Sequence, residues 1–326
     1  MELALMRSEM ERAGALAVEA RNTLLTGRGV PKKTYGTGWT VRADVPIDGY
    51  EGPMPMEKME MGWGGASGEN GTCPPNYPPA APTGVCAHVA FIEIDAQMMF
   101  KQSMAYLATG DDRYAAQAIG IAMAWAKKNK VFGPKHRNGP LEAAWGCSAM
   151  ARGMELLRHT WPGFKEGDLT AFLGWLDGTL MPQMEWYVNV ITPNARNVKK
   201  NVYNNWHATI ADCWITAGVL ADDVDRFERG VALHRATVSD YFKWGRSGPY
   251  GSGRIIGEST ETLRDIFHTQ FAMGSMLQAA EAAWAQGQDE YSVADYALAA
   301  AMEMHARLIN AQLANSDETL LPPNFR

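Results

Sequence analysis

Apolar residues recur at three- and four-residue steps along most of the chain after Ala90, as in Ile210, Trp214 and Ala217 or Leu263, Phe267 and Phe271. That spacing gathers them on one face of a helix. It predicts helices near 91–109, 112–129, 140–159, 167–190, 204–221, 224–244, 260–286 and 290–314. Residues 2–26 read as one more helix, carrying Leu5, Leu16 and Leu24 and ended by Gly27 and Gly29. Between 27 and 88 the pattern breaks into Gly, Pro, Met and single aromatics, Tyr35, Trp39, Tyr50, Trp63 and Tyr77, without a sustained period. A segment that long inside a compact domain reads as a lid or wall folded over a cleft. No run reads as a strand, so the expected fold class is all-α.

The connectors echo one another. Gly110-Asp-Asp-Arg-Tyr114 and Gly287-Gln-Asp-Glu-Tyr291 share a pattern, and Asp223-Val-Asp-Arg-Phe227 is a looser relative. A glycine ends one helix in the left-handed conformation, an aspartate caps the next, and the ring packs back on the turn. Repeated helical hairpins of this kind predict an incomplete (α/α) toroid, with residues 1–326 as a single domain. Asp222 and Asp223 precede a helix and read as caps rather than calcium ligands.

Composition narrows the function. The 326 residues carry a net charge of −6, which argues against a nucleic-acid binder, because phosphate neutralisation needs a basic surface. The 11 Trp and 11 Tyr suit stacking on sugar rings as well as core filling. No apolar run reaches the roughly 20 residues that span a bilayer. The first residues lack a basic stretch followed by an apolar one, so the protein is either cytosolic or has had a signal peptide removed; the second is favoured, and the expectation is a secreted or periplasmic monomer. Cys147 and Cys213 lie in helical apolar patterns and read as buried thiols. Cys73 and Cys86 have twelve residues between them in a Pro/Gly-rich stretch, a spacing that suits a disulfide worth about 3 kcal/mol. No Cys/His spacing suits zinc, and neither a metal nor a cofactor is expected.

Candidate chemistry gathers in the second half: Asn204-Asn205-Trp206-His207, Gly248-Pro-Tyr250-Gly-Ser-Gly253, and Glu261, Arg264 and His268 at helical spacing. An amide pair, two imidazoles, a phenol and a guanidinium suit proton abstraction beside a carboxylate. Ala105-Tyr-Leu-Ala-Thr-Gly-Asp-Asp-Arg-Tyr114, Asn204-Asn-Trp-His207 and Glu261-Thr-Leu-Arg264-Asp-Ile-Phe-His268-Thr-Gln-Phe271 resemble three passages of the alginate-lyase-like superfamily of polysaccharide lyases. Trp206 stands where the family-five alginate lyases have their catalytic His, and Phe271 where they have their catalytic Tyr. The chain is therefore more similar to a divergent branch such as polysaccharide lyase family thirty-eight, which acts on glucuronan and alginate.

That resemblance implies cleavage of a β-1,4-linked uronic-acid polymer by β-elimination, with an anionic polysaccharide as partner. Removing the proton at C5 needs a carboxylate neutraliser, a base, and an acid for the leaving O4. Asn205 is the expected neutraliser, and its other reading is a helix cap. His207, in the first helical turn, and Tyr250, in a glycine-rich turn, are expected to share base and acid duties. Arg264, with its planar fork, and His268 are expected to orient the sugar. Asn204, Trp206, Asn138, Trp145, Lys199, Lys200 and Arg254 complete the expected substrate contacts. Two rival readings remain: a glycoside hydrolase on a helical toroid, using Glu142, Glu258 or Glu261 with Asp212, and a non-catalytic helical carbohydrate-binding protein.

Overall fold

A computed structural model describes residues 50, 52–53, 55–62, 65–67, 91–133, 138–196, 202–242, 257–262 and 266–313. The chain divides into two compact units, Met1–Met181 and Pro182–Arg326.

In the first unit, β1 (Lys58–Gly62) pairs antiparallel with β2 (Gly65–Ser67) and parallel with β3 (Val131–Gly133). This small sheet corrects the expectation that no strand would form. Its signal was present: Lys58, Met59, Glu60 and Met61 alternate polar and apolar with period two, and Met59 is buried while Lys58 is exposed. Lysine and glutamate are depleted in strands and no β-branched or aromatic residue stands among the four, which hid the pattern. Asn129 fastens the sheet to the helices. Its Nδ2 donates to the carbonyls of Met56 and Val131 at 2.9 and 3.2 Å, while its Oδ1 accepts from Trp175 Nε1 at 3.0 Å.

Helices α1 (Phe91–Thr109), α2 (Asp112–Lys128), α3 (Gly139–Thr160) and α4 (Glu166–Trp175) supply the rest of this unit, followed by a π-helical turn, Leu176–Leu180. α1 packs on α2 and α3, and α2 on α4. The hairpin mechanism holds at the first connector: Gly110 has φ +71° and Asp111 accepts from the Arg113 backbone N–H. Trp125, Phe172 and Trp175 form the aromatic part of this core, and Trp125 Nε1 donates to the buried Asp95 at 2.7 Å.

The helix α5 (Met181–Trp186) leads into a second π-helical turn, Tyr187–Ile191, and the short α6 (Thr192–Arg196). Then come α7 (Asn205–Ala221), α8 (Val224–Tyr241), α9 (Ile266–Ala285) and α10 (Val293–Leu313). α7 packs on both α8 and α9, and α10 packs on α8. Ala208, Val238, Tyr241, Phe242, Met276 and Leu298 belong to the larger core cluster between them. Asp222 closes α7 in the left-handed conformation, and Asp223 caps α8 by accepting from Arg226 N, as read for this pair. At the last connector Gly287 has φ +82°, Asp289 accepts from Tyr291 N and Ser292 N, and the Tyr291 ring packs back on Trp284.

Two further expectations change. The helix read over 260–286 begins at Ile266, so Glu261 stands in a turn before it and shares no helical stripe with His268. Hydroxyls explain the delay: Thr262 Oγ1 accepts the Ser259 N–H at 2.7 Å and Ser259 Oγ accepts the Glu261 N–H at 3.2 Å, which diverts the backbone from helical bonding. Cys147 and Cys213 are disulfide-bonded rather than free thiols. The buried surroundings were read correctly, but burial cannot tell a thiol from a disulfide sulfur. The expected bond between Cys73 and Cys86, the helix over 2–26, and residues 27–49 and 68–88 of the expected lid lie outside the described residues.

Candidate active site

The candidate cluster of the second unit is built around the first turn of α7. Asn204 caps it in an extended conformation, its Oδ1 accepting from Trp206 N at 3.1 Å, and His207 closes a capping box with the Asn204 backbone. The π-helical turn before it completes the arrangement. In a π turn residues five apart come together, so Tyr187 and Thr192 share a face, joined by the Thr192 Oγ1 bond to the Tyr187 carbonyl at 3.1 Å. Both then reach α7: the Asn204 Nδ2 lies 3.1 Å from the Tyr187 hydroxyl, and Thr192 Oγ1 lies 2.8 Å from His207 Nε2.

These bonds define the tautomer of His207. Thr192 gives its own proton to the Tyr187 carbonyl, so it accepts from His207 Nε2, and Nδ1 accepts the Asn204 N–H at 3.2 Å. Nδ1 also lies 2.9 Å from Asn204 Oδ1, a contact that becomes a hydrogen bond when the ring takes a second proton. Both nitrogens of this buried ring are thus engaged by the protein, whereas a general base needs an open lone pair facing its proton.

Aromatic rings surround the imidazole. Tyr187 and Tyr203 lie 5.0 and 4.8 Å from it between centroids, and Tyr187 lies 4.9 Å from the half-buried Trp206. Burial, together with the negative charge of Glu261, pushes the Tyr187 phenol up to about 12 against the opposing Asn204 hydrogen bond. It stays protonated through the neutral range, which suits a proton donor better than a base.

On the other side of α7's first turn lies Glu261, buried at 7% exposure. It accepts from the Asn205 backbone N–H at 3.2 Å, from Asn205 Nδ2 at 2.7 and 2.9 Å, and from the Tyr241 hydroxyl at 3.0 Å. Burial and the Glu261 charge hold Tyr241 well above the ordinary phenol range. The amide nitrogen expected to meet a sugar carboxylate therefore faces a protein carboxylate. Asn205 is 1% exposed and its Oδ1 has no hydrogen-bond partner, an omission that costs roughly 1–3 kcal/mol in an unliganded interior.

Of the expected site residues, Asn204, Asn205, Trp206 and His207 come together here. His268 sits half-buried in the first turns of α9 with its ring 5.4 Å from Phe271. Asn138 and Trp145 belong to the first unit: Asn138 precedes α3 without a side-chain cap bond, and Trp145 is half-buried on α3. Tyr250, Arg264, Lys199, Lys200 and Arg254 lie outside the described residues. Among the described residues no group of three His, Cys, Asp or Glu side chains is placed to hold a metal ion. Sequence reasoning missed Tyr187, Thr192, Tyr203 and Tyr241. Tyr203 adjoins the Asn-Asn motif and could have been included, whereas Tyr187 and Thr192 acquire their role from a π turn that periodicity does not announce.

Solved structures of alginate lyase A1-III share this fold. A tyrosine-to-phenylalanine variant complexed with tetrasaccharide is 16% identical over 91% of this chain and 77% of that chain, with a TM-score of 0.56. The enzyme from Sphingomonas species A1 is 15% identical over 92% of this chain and 78% of that chain, with a TM-score of 0.54. A histidine-to-alanine variant complexed with tetrasaccharide gives 16%, 92%, 78% and 0.54 in the same order. No curated protein sequence matches the chain. The likeness identifies the fold class as the mostly helical (α/α) toroid. The alginate lyase family profile matches residues 68–315. The chain belongs to the alginate lyase family and is a polysaccharide lyase.

Proposed function

We propose that this lyase cleaves a β-1,4-linked uronic-acid polymer, alginate or glucuronan, by β-elimination. The C5–H and C4–O4 bonds break, a C4–C5 double bond forms, one proton leaves to a base and another reaches O4. The observation that carries the reading is the head of α7, where a buried amide oxygen without a partner lies in a turn flanked by tyrosine, tryptophan and imidazole rings. The likeness to lyase structures complexed with tetrasaccharide supports a polysaccharide in that place.

In this reading Arg264 pairs with the sugar carboxylate, raising the acidity of C5–H. Tyr250 and His268 exchange the C5 proton, and the Tyr187 phenol is a donor for the leaving O4. His207, with both nitrogens bound, orients Asn204 and Tyr187. Trp206 and Tyr203 offer ring faces to the sugar, and Lys199, Lys200 and Arg254 supply positive charge to an anionic chain. The departures at Trp206 and Phe271 support a branch distinct from family five. Disulfide bonding at Cys147 and Cys213 supports a secreted or periplasmic location, where oxidised cysteines persist.

Incubation with polymannuronate, polyguluronate and glucuronan tests this directly. Ultraviolet absorbance from the conjugated double bond should rise on at least one of them. Reducing ends without absorbance, or no product from any of the three, would overturn the reading.

A further inference from the structure

Residues 257–262 form a turn with no helix or strand of its own, so side chains decide where it lies. His305 on α10, 1% exposed, bonds to it. The His305 Nδ1 lies 2.7 Å from the Ala301 carbonyl, which can only accept, so Nδ1 carries the proton and Nε2 offers a lone pair. Burial lowers the pKa of this ring against the opposing Ala301 bond, which keeps that lone pair open. The Thr262 hydroxyl, 3.1 Å away, therefore donates to Nε2. Its oxygen accepts the Ser259 N–H at 2.7 Å, with the Ser259 hydroxyl 2.9 Å away. Ser259 Oγ in turn accepts the Glu261 N–H at 3.2 Å. Gly257 seats the turn on α10 as well: at φ +96° a Cβ there would stand 2.3 Å from the Ala300 carbonyl oxygen. The same turn presents the Glu261 carboxylate to the Asn205 N–H and Nδ2 at the head of α7. A buried imidazole carries a desolvation cost that a leucine would not, and what it adds here is an acceptor for Thr262.

We infer that His305 is a positioning residue which, through the Thr262 hydroxyl, holds the 257–262 turn so that Glu261 meets the head of α7. The inference rests on the proposed lyase site at that head. Without the Nε2 acceptor, the Thr262 proton turns to Ser259 Oγ and competes there with the Glu261 N–H. The Glu261 backbone is loosened, and its carboxylate with it. Asn205 then loses the partner of its backbone N–H, which as the first of α7 has no acceptor within the helix. A misplaced first turn disturbs the geometry of the reacting groups more than the grip on a long polymer, so kcat falls while KM changes little.

Amides of two lengths provide the test. In His305→Gln the side-chain amide reaches the place of Nε2 and offers an oxygen to Thr262, whereas in His305→Asn it reaches only the place of Nδ1. Both variants lose the ring, so a residue that merely fills the core would suffer alike in both. Amide hydrogen exchange resolved to the first turn of α7 reads the effect without activity, since the Asn205 N–H is protected by Glu261. Exchange there should quicken about tenfold in His305→Asn, as loss of one hydrogen bond implies. It should stay within about threefold of wild type in His305→Gln, with the middle of α7 unchanged in both. Thr262→Val, which removes the hydroxyl, should behave as the asparagine variant, and Thr262→Ser, which keeps it, as the glutamine variant. On the uronan that the wild type cleaves best, kcat should fall about tenfold in His305→Asn and Thr262→Val, with KM within about threefold of wild type. Equal exchange at the head of α7 in His305→Asn and His305→Gln, or a Thr262→Val protein with wild-type exchange and kcat, overturns the inference. A wild type that yields no unsaturated product from any uronan defeats the lyase reading instead, and the exchange rates then judge the turn by themselves, which keeps the two failures apart.

Discussion

His234 on α8 couples stability to acidity. Its ring is 0% exposed, and neither nitrogen has a hydrogen bond of normal geometry. Burial lowers its pKa from 6.5 to about 4, with the Arg235 charge adding to the effect and the Glu290 backbone opposing it. The native state therefore holds a neutral imidazole down to about pH 4, while the unfolded chain takes up a proton as pH falls through 6.5. Stability contributed by the neutral ring is complete above 6.5, drains as pH falls, and is gone below the folded value. Roughly 2.5 units correspond to about 3 kcal/mol in all, of which about 2 kcal/mol is lost between pH 7 and pH 5. Urea unfolding of wild type and His234→Leu at both pH values isolates this part, since every other titrating group is common to the two proteins. Leucine removes the titrating ring and keeps an apolar side chain in its place. Wild type should lose about 2 kcal/mol more than the variant on going to pH 5. Equal losses would refute the argument that a buried, unbonded ring resists protonation here.

Glu93 acts in the opposite sense: burial raises its carboxyl to about 7, so native stability is full at low pH and declines as pH climbs from 4.5 through 7. Glu93→Gln should flatten the stability of the protein between pH 5 and 8, measured by urea midpoint, and an unchanged slope would count against it. Gly230 lets α8 approach α7, because a Cβ there would lie 2.7 Å from the Ile215 backbone nitrogen. Gly230→Ala should destabilise by about 1–3 kcal/mol in thermal unfolding, as overpacking does. Tyr187→Phe removes the phenol beside Asn204 and should lower kcat about 100-fold on a cleavable uronan; full turnover would remove Tyr187 from the proton relay.

Helix positions were legible because each buried face repeats every three to four residues. The predicted 91–109 and 204–221 differ from α1 and α7 by at most one residue. Turn chemistry was legible for the same local reason, with aspartate and glycine acting within a few residues of their own position. What escaped is non-local. Whether Glu261 joins a helical stripe or turns inward depends on the Ser259 and Thr262 hydroxyls competing for backbone donors. Tyr187 reaches Asn204 only because a π turn rotates it there. The Asn-Asn-Trp-His run marked this stretch as a candidate, yet the protein partners of Asn205 and His207 decide which of their atoms remain open, and Glu261 and Thr192 lie 56 and 15 residues away from them.

Two kinds of unpaired buried atom are present in the second unit, and their surroundings separate them. Neither nitrogen of the His234 ring has a hydrogen bond of normal geometry, and the consequence of leaving them so is a dependence of stability on pH. The Asn205 oxygen instead belongs to an amide whose nitrogen is bound by Glu261, which also accepts from the Tyr241 hydroxyl. Those bonds restrict which way the amide can turn, so its oxygen has little freedom to reach a protein donor. An apolar core would fill the same space without the desolvation of a buried carboxylate. The Asn205 oxygen thus carries a desolvation cost at every pH, whereas the cost at His234 grows only as acid is added.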